Sequence, residues 1–275
     1  MLRVSSRNAR FQQWESLLAN RAKRQRAGEF LVHGVRPITL AARSGWRFRA
    51  LLYDADRQLS GWADAMLRDA AGIRVAMSPG LLAELGEKTG DPPELVAVVE
   101  MPDDDLYRIK AGPGFLGVAL DRPASPGNIG SIIRSADAFG ADGVVVTGHA
   151  ADIYDPRAVR ASTGSLFTLP VVRSPSHREV AAWVADQRAR GCPVVLAGAD
   201  EHGGRDVFDF DFTRPTLLLM GNEATGLSAA WRELCDDTVR IPMTGTASSL
   251  NVANAATAVL YEIARQRILA RRRPG

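Results

Sequence analysis

Three glycine-rich segments carry the side chains that could take part in chemistry. They are residues 122–134, 220–227 and 241–251. Each begins where a short apolar run ends, and each leads into a stretch with the apolar spacing of a helix. Glycine at such a place lets the main chain approach a ligand closely, and the polar side chains and loop amides supply hydrogen bonds. The segments therefore predict binding sites for a ligand at strand ends.

Other reactive arrangements find little support in the sequence. The four histidines are scattered without metal-ligand spacing, and no GxSxG turn presents a nucleophilic serine. Gly112, Gly114 and Gly117 spell GxGxxG, but they precede a strand and enclose Pro113. A dinucleotide-binding loop must instead follow a strand and open a helix. We therefore expect neither a metal site nor a Rossmann dinucleotide site.

The elements that must position the three segments alternate along the second part of the chain. Short apolar runs, typical of strands buried on both faces, lie at residues 115–121, 143–147, 193–197, 216–220 and 238–241. Helices are predicted at residues 128–139, 176–190, 228–235 and 250–271, the last one capped by Ser248 or Ser249. This alternation favours an α/β fold with a mainly parallel sheet and helices on both faces.

The first part of the chain predicts a smaller α/β domain. A helix is expected at residues 8–22, with Phe11, Trp14, Leu17 and Leu18 on its apolar face. Strands at residues 29–33, 50–53 and 95–99 alternate with helices at 37–43, 61–70 and 79–85. Proline, glycine and acidic residues break both periods near residues 101–114. We therefore predict domains at residues 1–105 and 115–275, joined by a linker at 106–114.

Composition and charge narrow the class of protein. Hydrophobic residues make up 46% of the 275 residues, yet no apolar run approaches the roughly 18 residues that span a bilayer. Without a secretory signal either, we expect a cytoplasmic protein without a membrane partner. Residues 1–49 hold eleven Lys or Arg against two Glu, a net +9, which leaves −6 for the rest of a chain whose total is +3. Such a basic end attracts a polyanion. The two cysteines form no CxxC pair and are expected to be buried free thiols.

Taken together and in this order, the three segments closely resemble the motifs of the SpoU branch of the SPOUT methyltransferases. Glycines and polar residues coincide with the family pattern at many positions over about 130 residues of this chain. The resemblance implies a deep trefoil knot in the carboxy-terminal domain. It also implies that knotted loops bind S-adenosylmethionine in a bent form, and that an obligate homodimer carries the site at its interface.

The resemblance also implies roles for individual residues. The cofactor contacts of the family fall on Gly221, Ile241 and Leu250. The catalytic positions fall on Asn128, Arg134, Glu223, Ser249 and Asn251. The reaction would be methyl transfer to a ribose 2′-hydroxyl of RNA, which requires alignment of that oxygen with the methyl group and removal of its proton.

Arg134 poses a chemical problem within this scheme. The family account makes the arginine the base, but the pKa of a guanidinium lies above about 12. Our hypothesis is that Arg134 holds the neighbouring phosphate and the hydroxyl with its planar fork, and that Asn128 orients it. Loss of the proton would then be assisted electrostatically by the nearby sulfonium.

The first block resembles the RNA-binding domain that many SpoU proteins carry, whose fold is similar to that of a ribosomal protein. The similarity lies in residues 6–9, the basic turn at 21–26, residues 29–32, Gly34 and Arg36. His33 departs from the family, which often has an acidic residue there. The resemblance implies phosphate contacts by Arg7, Lys23, Arg24 and Arg26.

Similarity outside the motifs narrows the substrate. Residues 10–14, 148–156 and 206–215 resemble family members that methylate a uridine of 23S rRNA and confer resistance to avilamycin-type antibiotics. Transfer RNA methyltransferases share the same three motifs and remain an alternative. A second alternative is a catalytically silent RNA-binding or ribosome-assembly factor on the same fold.

Overall fold

The computed structural model describes residues 2–87 and 93–272 and divides the chain into two compact units. One unit comprises the residues up to Pro102 together with Asp152–Thr168. The other comprises Asp103–Ala151 and the residues from Leu169 onward. Residues 152–168, which were predicted to lie in the second block, pack with the first.

The first hundred residues form five strands and five helices among those that the structure describes. The strands are β1 (Leu2–Val4), β2 (Glu29–His33), β3 (Phe48–Asp54), β4 (Ile73–Met77) and β5 (Leu95–Glu100). The helices are α1 (Ala9–Ala19), α2 (Arg21–Ala27), α3 (Val35–Arg43), α4 (Gly61–Asp69) and α5 (Pro79–Leu85). The strands form a mixed sheet in the order β1-β4-β3-β5-β2, in which β5 runs antiparallel to both of its neighbours. The short strands β1 and β4 were not predicted.

Asn20 divides the first predicted helix into two. Its extended backbone ends α1, and its side-chain oxygen then accepts a hydrogen bond from the Lys23 backbone N–H at 3.0 Å, which caps α2. Residues 21–26 are therefore helical, and the predicted basic turn there is wrong. Phe11, Trp14 and Leu17 are buried against the sheet side of this unit, as the spacing predicts.

From residue 103 onward the chain alternates strands with helices. The strands are β6 (Leu116–Asp121), β7 (Gly143–Thr147), β8 (Val171–Ser174), β9 (Val195–Ala199), β10 (Arg205–Asp206), β11 (Thr216–Met220) and β12 (Asp237–Arg240). The helices are α6 (Pro126–Ala138), α7 (Pro156–Ala161), α8 (Ser165–Thr168), α9 (His177–Ala189), α10 (Ala229–Leu234) and α11 (Val252–Arg272). A short 3-10 helix, Leu106–Arg108, lies in the predicted linker.

Within the described residues, the strands of the second unit form one seven-stranded sheet in the order β10-β12-β9-β11-β6-β7-β8. Every neighbouring pair is parallel. All residues of β6, β7 and β11 are buried, because helices cover the sheet. The predicted parallel α/β fold is thus confirmed. Strands β8 and β10 and helices α7 and α8 were missed, since each has six residues or fewer and little periodicity.

Residues 152–168 belong to the first unit through aromatic and polar contacts. The rings of Phe30 and Tyr154 lie 4.7 Å apart, and the Trp46 indole N–H donates to the Phe167 carbonyl at 3.0 Å. Arg24 is only 2% exposed, and its Nε and Nη2 atoms each lie 2.8 Å from Oδ2 of Asp152.

No helix among the described residues is long and apolar enough to cross a membrane.

Candidate active site

The carboxyl ends of β6 and β11 bring the first two glycine-rich segments together. The strands are paired in register, with Leu120 beside Met220, so the chain leaves both at the same edge of the sheet. The Asn222 side-chain amide donates to the Arg122 carbonyl at 2.7 Å. Arg122 adopts a left-handed backbone with φ of 51°. The two loops are therefore joined directly behind the strand ends.

Glu223 is the acceptor that organises this edge. Its Oε2 accepts from the Ala124 backbone N–H at 2.9 Å, and its Oε1 accepts from the Ser125 backbone N–H at 3.1 Å. The Asn128 side-chain amide also donates to Oε1, at 3.0 Å. Partial burial opposes ionisation, but the hydrogen bonds from Ala124, Asn128 and Ser125 outweigh it and lower the pKa of Glu223 below its usual value. The carboxylate is therefore ionised at neutral pH.

The third segment reaches the same network through Asn251. Its side-chain amide donates to Oδ1 of Asn128 at 3.2 Å, so Asn128 is held from both sides. Oδ1 of Asn251 accepts from the Ala253 backbone N–H at 2.9 Å and thereby caps α11. The expected cap at Ser248 or Ser249 is wrong, because the helix begins one residue after Asn251 rather than at Leu250.

The structure places the remaining two predicted catalytic residues outside this network. Arg134 lies on α6, about 9 Å further along the helix axis than Asn128 at 1.5 Å per residue. Its side chain is exposed and makes no hydrogen bond or ion pair with the described residues. Ser249 is exposed in the loop before α11 and lines a cavity beside the network.

That cavity has a volume of about 330 Å³ and is lined by residues of the second and third segments and by those that follow β9. The three predicted cofactor contacts, Gly221, Ile241 and Leu250, all line it. Gly221 must be glycine, because a Cβ there would lie 2.3 Å from the Gly226 carbonyl carbon and 2.4 Å from the Leu227 nitrogen. The backbone at Gly221 thus packs directly against that of residues 226–227, and residues 221–226 form one wall of the cavity.

Three residues of this site were missed by the sequence analysis. Asn222 follows Gly221 within the second segment, and its place in a polar loop was the signal that could have found it. Asp200 and Arg232 line the cavity from β9 and α10, outside the three motifs. Nothing local in the sequence marks them, because they meet only through the fold.

The four predicted RNA contacts of the first unit differ in exposure. Lys23 and Arg26 are exposed on α2. Arg7 is exposed as well, but its guanidinium is already paired with Glu15 at 2.8 Å and with Glu84. Arg24 is buried, and besides Asp152 it donates to the Leu17 carbonyl at 2.7 Å. The expectation of a phosphate contact by Arg24 is therefore corrected, because its guanidinium is enclosed by protein acceptors.

The described residues show neither a cluster of metal ligands nor an activated thiol. No three His, Cys, Asp or Glu side chains in that part of the chain cluster closely enough to hold a metal ion. Both cysteines are free, and Cys192 is buried. Desolvation is the largest cause of the raised pKa of Cys235, which reaches about 11, so that thiol stays protonated at neutral pH.

Comparison with known protein families covers both units. The model of the SpoU rRNA methylase family matches residues 116–261. The model of the SpoU L30e-like domain matches residues 8–97, which confirms the predicted resemblance of the first block. The two matches together span most of the chain.

Known proteins resemble the chain over nearly its whole length. A 23S rRNA (uridine(2479)-2′-O)-methyltransferase of Streptomyces viridochromogenes is 67% identical over 269 residues, which is 98% of this chain and 94% of that protein. The crystal structure of the SpoU methyltransferase AviRb from S. viridochromogenes in complex with AdoMet has a TM-score of 0.92 at 68% identity, covering 95% of this chain and 99% of that one. An AdoMet-bound rRNA methyltransferase from Sinorhizobium meliloti has a TM-score of 0.82 at 28% identity, with 96% and 97% covered. This chain therefore belongs to the SpoU rRNA methylase family.

Proposed function

We propose that this protein transfers a methyl group from S-adenosylmethionine to the ribose 2′-hydroxyl of a uridine in 23S rRNA. The observation that carries the proposal is the Glu223–Asn128–Asn251 network, which joins all three motif loops beside one cavity. The S. viridochromogenes relative, matched over 94% of its length, supports the choice of substrate.

The cavity fits the cofactor in size and in the character of its lining. Its volume of about 330 Å³ lies within the range of roughly 300–1,000 Å³ for small-molecule sites. Ile241, Met243 and Leu250 supply apolar surface for an adenine ring, and the backbone of the 221–227 loop supplies hydrogen-bonding groups. We therefore assign Gly221, Ile241 and Leu250 to cofactor binding.

The bound cofactor supplies a methyl group on a positively charged sulfur, and the protein residues must position the accepting ribose. Asn128 has a fixed orientation, since Glu223 accepts from its amide and Asn251 donates to its oxygen. Arg134 is unpaired among the described residues, so its planar fork is available for a phosphate and the 2′-hydroxyl. Glu223 positions Asn128 and the 123–125 turn. Ser249 and Asn251 complete the polar wall.

We further propose that the first unit binds the RNA and that the enzyme works as a homodimer. Lys23 and Arg26 are the exposed cations of the basic segment that suit phosphate contacts. On α11, Tyr261, Ile268 and Leu269 are 60%, 48% and 45% exposed and lie on one face of the helix. A second copy of the chain would cover this apolar face. Sedimentation equilibrium of the purified protein tests the dimer, and a monomer at micromolar concentration contradicts it.

The trefoil knot implied by the resemblance and the cytoplasmic location expected from the composition stay predictions. So does the biological role, resistance to an avilamycin-type antibiotic. Expressing the gene in a susceptible bacterium and measuring the inhibitory drug concentration tests that role, with Arg134→Lys as the inactive control.

Mapping of ribose methylation on total RNA, with and without the protein, tests the central proposal. We expect one new 2′-O-methyluridine in 23S rRNA. A new methylation confined to transfer RNA would overturn the substrate and favour the tRNA alternative. No new methylation, with RNA binding retained, would favour a silent RNA-binding factor.

A further inference from the structure

Four charged side chains line the cavity in the part of the chain that the structure describes. Three are acidic, Asp200, Glu201 and Glu223, and the fourth is Arg232. Glu223 is occupied by donors from the 124–128 turn. Asp200, Glu201 and Arg232 are therefore the charged lining residues that the Glu223–Asn128–Asn251 network does not use.

Asp200 and Arg232 face each other as a fixed ion pair. Nη2 of Arg232 lies 2.9 Å from Oδ2 of Asp200, whose side chain is only 10% exposed. The other carboxylate oxygen of Asp200 accepts from the His202 backbone N–H at 2.9 Å, and the Asp200 backbone N–H donates to the Val239 carbonyl at 3.0 Å. The carboxylate is thus anchored to the sheet edge, and it fixes the guanidinium in turn.

Arg232 keeps donors free for a ligand. Its side chain is 53% exposed, and the pair uses one of the five N–H donors of the guanidinium among the interactions described. Its Nη2 lies 3.7 Å from where a Cβ on Gly226 would be, so the group lies beside the 221–227 loop. Glu201 adds a second carboxylate to the lining next to Asp200.

We propose that the Asp200–Arg232 pair binds the α-amino-acid end of S-adenosylmethionine. The guanidinium takes the cofactor carboxylate, and the carboxylates of Asp200 and Glu201 take its ammonium group. A zwitterion needs one partner of each sign, whereas the neutral adenine and ribose hydroxyls need no guanidinium. The assignment rests on the proposed function, since it names the residues that bind the amino-acid end of that cofactor.

Calorimetric titration with three ligands tests the assignment. S-Adenosylmethionine and S-adenosylhomocysteine both carry the amino-acid end, and 5′-methylthioadenosine lacks it. For Arg232→Gln and for Asp200→Asn we expect about a tenfold weaker affinity for the first two ligands. The affinity for 5′-methylthioadenosine should match that of the unaltered protein. Arg232→Lys, which keeps the charge but not the fork, should recover part of the loss.

The control is Arg205→Gln. Arg205 forms a comparable ion pair with Asp237 at 2.8 Å, and the two side chains are 60% and 26% exposed. Neither residue lines the cavity. It should leave all three affinities unchanged. Equal losses for all three ligands with Arg232→Gln, or no loss for any, would overturn the assignment. If the unaltered protein bound neither S-adenosylmethionine nor S-adenosylhomocysteine, the proposed function itself would fail. Circular dichroism of each variant shows whether it is folded.

Discussion

At the scale of single residues, some side chains of the site are fixed by hydrogen bonds, whereas Arg134 has no such partner among the described residues. Asn128 has both ends of its amide engaged, and Glu223 accepts three hydrogen bonds. A carboxylate whose pKa is lowered is a weak proton acceptor, so we assign Glu223 to positioning rather than to base catalysis. Arg134 is exposed and without a partner among the described residues, which agrees with its proposed contact with the substrate.

Arg134→Lys should therefore lose activity while keeping the cofactor. An ammonium cannot reproduce the bidentate fork, so we expect at least a hundredfold lower kcat for methylation of an RNA fragment. The dissociation constant for S-adenosylmethionine, measured by calorimetry, should stay within about twofold, a difference of about 0.4 kcal/mol. Arg178→Lys, on an exposed arginine of α9, is the control and should be fully active. Turnover near normal for Arg134→Lys would refute the assigned role.

Glu223→Gln should make a pH-dependent part of the stability disappear. The pKa of Glu223 is lower in the folded protein than its ordinary value of about 4.5. The ionised carboxylate therefore stabilises the fold fully at pH values above 4.5. This stabilisation is lost as the pH falls through the lowered pKa. We expect the difference in unfolding free energy between the unaltered protein and the variant to be constant from pH 6 to 8 and to shrink below about pH 4.5. Urea unfolding at each pH measures it. The exposed Glu233→Gln should give no such pH-dependent difference, and a flat profile for Glu223→Gln would refute the hydrogen-bonded carboxylate.

At the scale of elements, asparagine side chains cap the first turns of α2 and α11. Asn20 starts α2 and Asn251 starts α11, in each case by accepting a backbone N–H in the first turn. The amide of Asn251 also donates to Asn128, so the start of α11 and the Glu223–Asn128–Asn251 network depend on one residue. Asp155 caps the short helix α7 in the same way, since its side chain accepts from the Arg157 backbone N–H at 3.0 Å.

Breaking the Arg24–Asp152 pair from one side should destabilise the first unit strongly. Both side chains are nearly inaccessible, 2% and 3% exposed, so removing Asp152 leaves the buried guanidinium with only the more distant carboxylate of Asp155, 3.9 Å away. We expect Asp152→Asn to lower the unfolding free energy by about 3–5 kcal/mol. Replacing both, as in Arg24→Met with Asp152→Leu, should cost less than Asp152→Asn alone, since neither charge is left buried. Denaturant unfolding measures both, and an Asp152→Asn protein as stable as the original would contradict the buried pair.

At the scale of the whole molecule, charge is divided unevenly along the chain. Residues 1–49 carry +9 of a chain whose total is +3. Only part of this charge is available to a ligand, because Arg24 is buried and Arg7, Arg47 and Arg49 lie in ion pairs with glutamates. The exposed cations of α2 are therefore the best candidates for binding a polyanion.

Lys23→Gln with Arg26→Gln should weaken RNA binding and reduce its dependence on salt. Each phosphate that the protein no longer neutralises lowers the slope of log affinity against log salt by roughly 0.7–0.9, so we expect a decrease of up to about 1.8 for the pair. Binding of a 23S rRNA fragment at several salt concentrations measures it. The control is Arg47→Gln with Arg68→Gln, which removes two charges of the same unit outside α2. Their side chains are 78% and 70% exposed, and the double substitution should change the salt slope little. An unchanged slope in the α2 variant would count against this surface.

What the sequence determined by itself was the class of fold and the glycine-rich segments at the strand ends. Strands buried on both faces appear as short apolar runs, and glycines with polar neighbours appear at their ends, so both signals are local. The strand at 143–147 and the strand at 216–220 were predicted with the bounds that the structure has. Asn128, Glu223 and Asn251 were placed in one site through resemblance to a family, before any contact among them was known.

Only the tertiary structure decided which groups face each other. Arg24 and Asp152 are 128 positions apart, so no local pattern could reveal that one neutralises the other and removes it from the surface. The same holds for the packing of residues 152–168 with the first unit, and for the meeting of Asp200 with Arg232 beside the cavity. The physical reason is that the burial of a charge depends on partners supplied by distant segments, whereas helix and strand periods depend on neighbours along the chain.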